Sequence, residues 1–394
     1  MRSTGTSTLD QAAEAADPNA YDVEAVNKKD SRPPLYAPRK KIHPRRTHGF
    51  FRSFKWWVMA LTLGVYYITP WLRWDRGPGA PDQAVLVDIP GRRFYFFFIE
   101  IWPQEFYYIA GLLIMAGLGL FLVTSVVGRA WCGYTCPQTV WTDLFIWVER
   151  LVEGDRAARI RLDKAPNSAS KAAKRLTKYV IWLLIAMGTG GAWVFYFADA
   201  PTLFTDLFTG QADTVAYATV GVLTFTTFSL GGLMREQVCT YMCPWPRIQA
   251  AMMDEESLTV TYRADRGEPR KPFEKNADWD QRGDCIDCKA CVVVCPMGID
   301  IRDGQQLECI TCALCIDACD DVMGKIGRPR GLIDYDSIAN DERRRAGEET
   351  KLRLFRPRTL FYFGLWGLIG LGMLYVLLTR ADLDINVIRD RNPL

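Results

Sequence analysis

The chain alternates polar segments with apolar stretches that are long enough to cross a membrane. A helix rises about 1.5 Å per residue, so about 20 apolar residues span a hydrocarbon layer of roughly 30 Å. Five stretches reach this length without a charge in their middle: residues 56–74, 105–127, 178–198, 214–234 and 359–379. The pattern predicts an α-helical integral membrane protein with five transmembrane helices.

The basic residues orient these predicted helices. Overall composition hides the membrane character, because 24% of the residues are charged and the mean hydropathy is −0.04. The segment 199–213 contains no basic residue, whereas seven lie within residues 39–55, directly before the first stretch: Arg39, Lys40, Lys41, Arg45, Arg46, Arg52 and Lys55. Since cytoplasmic loops are rich in Lys and Arg, we expect a bacterial inner-membrane protein with a cytoplasmic N-terminus and a periplasmic C-terminus.

The same pattern divides the chain into segments. Residues 1–53 are polar and Ala/Asp/Pro-rich, which indicates a disordered tail rather than a signal peptide. Its basic run fits a topology signal, with nucleic-acid or anionic-lipid binding as the alternative. The remaining segments are a hairpin (54–127), a cytoplasmic stretch with an interfacial helix (128–177), a second hairpin (178–234), a cytoplasmic cluster-binding module (235–358), the fifth helix (359–379) and a periplasmic end (380–394).

Eight of the 12 cysteines follow one spacing twice, C-x2-C-x2-C-x3-C. This is the ligand run of a bacterial ferredoxin with two 4Fe-4S clusters, in which the fourth cysteine of each run binds the other cluster. The expected ligand sets are Cys285, Cys288, Cys291 and Cys319 for the first cluster, and Cys309, Cys312, Cys315 and Cys295 for the second. Disulfides or zinc are the alternatives. Asp320 stands where the second run would carry proline, which removes no ligand.

The other four cysteines form two copies of a C-x-Tyr-x-C-Pro motif. Cys132 and Cys136 follow the second apolar stretch, and Cys239 and Cys243 follow the fourth. The repeat predicts two hairpins related by an axis along the membrane normal, which would bring the four thiols together. Proline favours the first turn of a helix, so Cys136 and Cys243 should begin helices and have a lowered pKa. Soft thiolates suit Cu(I), and plain packing at helix ends is the alternative.

Other chemistry is sparse in this sequence. The two histidines, His43 and His48, both precede the first stretch, which excludes a bis-histidine haem inside the bilayer. No phosphate-binding glycine loop and no nicotinamide or flavin motif occurs, so the electron donor is not identified.

Three segments resemble the FixG/CcoG/RdxA accessory proteins of cbb-type cytochrome oxidase. They are residues 128–142 (GRAWCGYTCPQTVWT), 295–302 (CPMGIDIR) and 306–320 (QLECITCALCIDACD). The resemblance implies a membrane ferredoxin that reduces Cu(II) to Cu(I) for the copper-haem centre of the oxidase. Its implied partners are copper ion, a copper transporter or chaperone and oxidase assembly factors. The family pattern also places a periplasmic immunoglobulin-like domain after the fifth helix, which we expect to be missing or truncated here.

Sequence and resemblance together predict a small cytoplasmic α+β two-cluster ferredoxin domain on a five-helix membrane part. We expect a cupric reductase in which the clusters carry electrons and Cys132, Cys136, Cys239 and Cys243 contact copper. One alternative is a quinol dehydrogenase similar to NapH and NosR that passes electrons to a periplasmic reductase. Another is a non-catalytic assembly scaffold or redox sensor, which would not reduce copper repeatedly. Nucleic-acid binding is not expected.

Overall fold

The apolar stretches of the sequence fold as helices. The computed structural model describes residues 41–274, 279 and 281–379, so residues 1–40 of the predicted tail and the end at 380–394 lie outside the described residues. The helices are α1 Phe50–Ile68, α2 Tyr107–Val127, α3 Ala130–Tyr134, α4 Pro137–Glu153, α5 Arg156–Lys164, α6 Ala169–Thr189, α7 Ala200–Thr209, α8 Thr214–Thr227, α9 Trp245–Met252, α10 Ala264–Gly267, α11 Ala290–Val294, α12 Leu314–Lys325, α13 Ile338–Arg345 and α14 Pro357–Thr379.

Four helical segments within the described residues are long and apolar enough to cross a membrane. They are Pro103–Val127, Ala169–Tyr196, Thr214–Met234 and Pro357–Thr379. These correspond to the second to fifth predicted stretches. Helix α1 forms where the first stretch was expected, but Arg52 and Lys55 lie inside it and lower its apolarity. The protein therefore has four candidate spans, and a fifth span through α1 stays a prediction.

The helices pack differently from the predicted pair of hairpins. Helices α6 and α8 lie against each other as expected for the second hairpin. Helix α2, in contrast, packs mainly along α14 rather than along α1. Helix α2 has apolar side chains along nearly its whole length, so another long apolar helix can pack against it. In this protein that helix is α14. The order of the apolar stretches along the sequence did not identify α14 as the helix that packs against α2.

Helix α8 continues as a π-helical segment, Phe228–Met234, which fits against α4 and α6. A Cβ atom added at Gly232 would lie 2.9 Å from the Trp182 ring, so only glycine allows this approach. Phe145, Val148 and Trp182 form the buried core between α4 and α6. These contacts join α4, which follows the first cysteine motif, to the π-helical segment, which precedes the second.

The connection between α1 and α2 contains a small sheet that the sequence analysis did not predict. Strands β1 Val85–Asp88, β2 Arg93–Phe96 and β3 Ile99–Ile101 pair antiparallel in the order β1-β2-β3. Buried Gln83 ties this region to the start of α7, because its amide donates to Phe195 O at 2.8 Å and accepts from Ala200 N at 3.0 Å.

The cysteine-rich module is a small α+β domain. Strands β4 Thr259–Tyr262 and β5 Ile333–Asp336 pair antiparallel, and α11 packs against α12. The module is docked on the first turn of α1, where the Asp317 carboxylate accepts hydrogen bonds from Phe51 N at 3.1 Å and Arg52 N at 2.7 Å. An acidic side chain at a helix start satisfies free N–H groups and the positive end of the dipole. The N-terminal end of α1 and the module therefore lie together.

Candidate metal centres

The two ferredoxin-type cysteine runs fold into loops of the same shape. In the first loop Asp287 and Lys289 have positive φ angles, and in the second loop Thr311 and Ala313 do. Each pair stands on either side of the second cysteine of its run. A left-handed residue is uncommon outside glycine, above all at a β-branched threonine. The repeated conformation turns each chain tightly enough to direct three thiols towards one point.

The thiols gather around two cavities. One cavity is lined by Cys285, Cys288, Cys291 and Cys319. The other is lined by Cys295, Cys309, Cys312 and Cys315, with Cys291 at its edge. The fourth cysteine of each run thus stands with the first three of the other run. The structure brings together the two predicted ligand sets, including their crossover.

The donor chemistry of both cavities fits iron–sulfur clusters. Each cavity presents four thiols and otherwise mostly apolar side chains, which suits a cluster held by thiolates in a medium of low polarity. Burial raises the pKa of Cys295 to about 12 and that of Cys309 to about 11. Thiols with such pKa values carry protons in the absence of a metal, so cluster binding must release those protons. When bound, the clusters supply one-electron chemistry.

A positively charged side chain lines the first cavity. Arg302 lines it and is held by two carboxylates, Asp300 at 2.7 Å and Asp287 at 2.5 Å. Because four thiolates and a cluster carry net negative charge, a fixed guanidinium beside them offsets part of it. Sequence analysis did not single out Arg302, although it ends the quoted segment CPMGIDIR.

The first C-x-Tyr-x-C-Pro motif contacts the second cysteine loop directly. A Cβ atom added at Gly133 would lie 2.7 Å from Ile310 O and 3.0 Å from Cys312 Cα. The Tyr134 hydroxyl donates to Cys312 O at 3.3 Å. Cys132 is buried in the same apolar cluster as Cys312. Sequence analysis included Tyr134 in the motif without giving it a role, and it did not single out Gly133.

The four motif cysteines come near one another, as the repeat predicted. Burial raises the pKa of Cys132 to about 12, and the nearby Cys136, Cys239 and Cys243 thiols raise it further. Cys136 caps the start of α4, as expected, while Cys243 lies one residue before Pro244, the cap of α9. The pKa of Cys239 is also raised to about 12 by its burial. Desolvation of the thiolate is the largest cause of the raised pKa of both Cys132 and Cys239.

These thiols do not surround a single point in the folded chain. Across the described residues, no group of three or more His, Cys, Asp or Glu side chains is arranged to hold one metal ion. A 4Fe-4S cluster binds each of its four thiolates to a different iron atom, so the lack of a single-ion site does not argue against clusters in the two cavities. A copper ion at the motif cysteines would require side-chain movement. Cys132 currently donates to Gln249 Oε1 at 3.1 Å, a buried amide that sequence analysis also missed.

Each motif is preceded by an arginine, and the two arginines have different partners. Arg129 donates to the backbone oxygens of Leu307, Cys309 and Pro246. Arg235 donates to the carboxylate of Glu149 on α4, which also receives Arg159. Glu149 is 2% exposed, and Lys178 Nζ lies 3.8 Å from it. Burial tends to raise the pKa of Glu149, but the surrounding cations, with Arg235 foremost, hold it below its usual range.

Two protein families match the two cysteine-containing regions of the chain. A family described as a 4Fe-4S dicluster domain matches residues 234–338, and a family described as a 4Fe-4S binding domain matches residues 109–153. Helices apolar enough to span a membrane and two 4Fe-4S domains together define an iron–sulfur electron-transfer protein of the membrane.

The relatives narrow this class to one family. The chain is 59% identical to "Nitrogen fixation protein FixG" of Rhizobium meliloti over 98% of this chain and 79% of that protein. It is 63% identical to "Protein RdxB" and 61% identical to "Protein RdxA" of Cereibacter sphaeroides, over 91% and 92% of this chain and 76% and 77% of those proteins. The chain belongs to the FixG/CcoG/RdxA family, as the resemblance indicated. No solved structure matches it.

Proposed function

We propose that this protein reduces Cu(II) to Cu(I) at its four motif thiols, with electrons that arrive through the two clusters, for assembly of a cbb-type cytochrome oxidase. The observation that supports this is the contact between the first motif and the second cysteine loop. Cys132 lies in one apolar cluster with Cys312, and Cys239, Cys295 and Cys309 border it. A continuous packed path from cluster ligand to motif thiol favours electron transfer between them.

The reaction balances with one electron. Cu(II) bound at the thiols gains a single electron from the second cluster and becomes Cu(I), and no proton is transferred to the metal. Cu(I) prefers soft sulfur ligands, so thiolates stabilise the product more than the substrate. This difference favours reduction over simple Cu(II) binding. The copper would then pass to a transporter, chaperone or assembly factor.

The membrane arrangement belongs to the same proposal. The start of α1 lies against the ferredoxin module, so the basic residues before α1 and the clusters share one side. By the positive-inside rule that side is the cytoplasm. We propose a five-span inner-membrane topology in which α1 is the first span and the chain after α14 enters the periplasm.

The test separates copper contact from cluster binding. In Cys132→Ala and Cys243→Ala proteins, iron and sulfide should equal those of the wild type, while bound Cu(I) and the rate of Cu(II) reduction by dithionite-reduced protein fall at least tenfold. Cys288→Ala is the matched comparison, because it should lose iron first. A Cu(I)-specific chelator and iron analysis measure both properties. Full copper reduction in both motif variants would refute the proposed copper site, and a single turnover only would favour a redox sensor.

A further inference from the structure

A cavity outside the cluster sites adjoins the second cysteine loop. It has a volume of about 370 Å³ and reaches Cys309 and Thr311. Pockets that bind small molecules usually enclose about 300–1,000 Å³. Cys309 also lines the cavity of the second cluster, so the two spaces are separated by little more than this residue. A redox molecule in the larger cavity would lie within short electron-transfer distance of that cluster.

Two buried polar groups in the lining lack a partner. Among the residues that the structure describes, the Nε of Arg129 and the Oγ1 of Thr311 have no hydrogen-bond partner, although these residues are only 5% and 3% exposed. Leaving a buried donor unpaired is energetically costly, because the donor has lost its bonds to water. Both groups can donate a hydrogen bond, so a ligand oxygen that accepts from them would remove this cost.

The rest of the lining selects an uncharged, largely apolar ligand. Ala250, Met253, Val260 and Leu307 supply apolar surface. Nucleotide cofactors carry phosphates, for which this cavity is poorly suited. Its one basic residue, Arg129, already donates its terminal nitrogens to backbone oxygens. Asp254 and Glu255 in the lining would repel phosphate.

The cavity lies where two candidate membrane spans end. Arg358 at the start of α14 donates to Met253 O at 3.3 Å. Leu258 N donates to Val126 O in the last turn of α2 at 3.0 Å. Helices α2 and α14 pack along each other. A ligand with a polar head and an apolar tail could therefore place its head here and its tail in the membrane.

We propose that this cavity is the docking site of a quinol headgroup and that quinol is the electron donor. One quinol becomes quinone by giving up two electrons and two protons. The electrons enter the clusters, one each, by way of the second cluster, and the protons leave through the exposed Glu255 at the cavity. The inference rests on the proposed electron transfer through the clusters, but it does not depend on copper as the final acceptor.

The first test measures binding of a probe to the cluster-loaded, detergent-solubilised protein. Decylubiquinone should bind saturably and change the electron paramagnetic resonance spectrum of the reduced second cluster. Thr311→Val should weaken binding about fivefold to tenfold, as expected for one lost hydrogen bond. Thr311→Ser keeps the hydroxyl and should bind like the wild type. Because the Thr311 hydroxyl has no partner in the described part of the chain, neither change should unfold the protein.

A second pair of variants tests the cavity itself. Ala250→Trp fills it and should abolish binding, whereas Ala251→Trp places the same ring on the exposed side of α9 and should leave binding unchanged. Equal binding by all four variants would mean that the probe only partitions into detergent and would overturn the inference. Binding of flavin mononucleotide in place of decylubiquinone would also overturn it.

The final arm separates this inference from the proposed copper chemistry. Wild-type protein is reduced either with dithionite or with decylubiquinol, and cluster reduction and Cu(I) formation are followed separately. Cluster reduction by decylubiquinol without any copper reduction would refute the copper proposal alone. Copper reduction with dithionite but no cluster reduction by decylubiquinol would refute the quinol site alone.

Discussion

The two C-x-Tyr-x-C-Pro motifs are nearly the same in sequence but differ in their surroundings. Tyr134 of the first motif is 6% exposed and bonded to the second cysteine loop, whereas Tyr241 of the second motif is 64% exposed. Gly133 allows close contact with that loop, and the equivalent position in the second motif is Thr240. The first motif is therefore joined to the ferredoxin module, while the second is more open to its environment.

The preceding arginines show the same asymmetry. Arg129 attaches the first motif to the backbone of the cluster-binding module, and Arg235 attaches the second motif to Glu149 on α4. The repeat thus supplies two similar thiol pairs in different surroundings. Four substitutions or conditions test this difference, from the largest expected effect to the smallest.

We expect the largest loss of stability on changing Glu149, because this residue on α4 binds Arg235, which precedes the second motif. Glu149→Gln keeps the side-chain shape but removes the buried carboxylate that pairs with Arg235, whereas Arg159 and Lys178 keep their pairs with buried Glu153. Removing one partner from a buried ion pair costs about 3–5 kcal/mol. Thermal unfolding in detergent should show a correspondingly lower midpoint. Asp321→Asn breaks an exposed pair with Lys325 and should cost less than about 1 kcal/mol; equal losses would contradict the role of Glu149.

The contact of the first motif is tested by Gly133→Ala. The added Cβ meets backbone atoms of Ile310 and Cys312, which cannot rotate away as a side chain could. Overpacking of this kind costs about 1–3 kcal/mol, and we expect the upper end together with an altered electron paramagnetic resonance signal of the second cluster. Thr240→Ala at the matching position should leave that signal unchanged. If both variants perturb the cluster alike, the two motifs are equivalent after all.

A pH effect is expected at His43, which lies before α1 and contacts α5, the helix that follows the first motif and α4. Burial lowers the pKa of His43 to about 4, although Asp163 on α5 lies 3.1 Å from its Nε2. Because the folded pKa is below the unfolded value of about 6.5, the neutral ring stabilises the fold above that pH. This stability is lost as the pH falls through the window from about 6.5 to about 4.

The free energy of unfolding should fall by about 1.4 kcal/mol between pH 7.5 and pH 5.5 for a group with these two pKa values. Thermal unfolding at both pH values measures it. A His43→Gln protein should lack this part of the pH dependence, and a His48→Gln protein, changed at an exposed position, should keep it. Identical pH profiles for wild type and His43→Gln would contradict the assignment.

The smallest effect is expected at the motif tyrosines. Tyr134→Phe removes a buried hydroxyl that donates to Cys312 O and lies 3.4 Å from the Tyr335 hydroxyl. The loss should be about 1 kcal/mol, typical of a single hydrogen bond. Tyr241→Phe changes an exposed side chain and should fall within about 0.5 kcal/mol of the wild type. A larger effect at Tyr241 would mean that the second motif is covered by a partner.

Much of this molecule follows from local sequence. Apolar length placed the membrane-type helices at the second to fifth stretches, because a helix must satisfy its own backbone inside a bilayer. Cysteine spacing predicted two ligand sets with a crossover, and the same sets of four cysteines line the two cavities, because thiols on one short loop point to one place. Proline after Cys136 correctly marked the start of α4.

Other features depend on residues that are distant in the chain. The pairing of α2 with α14, the Glu149 ion cluster and the cavity beside Cys309 each join segments more than 80 residues apart. The raised pKa values of Cys132 and Cys239 likewise come from burial and not from position on a helix. Spacing and periodicity describe one segment at a time, whereas burial and charge pairing are set by whichever segments come to lie against it. The difference between two nearly identical motifs therefore becomes visible only in the folded chain.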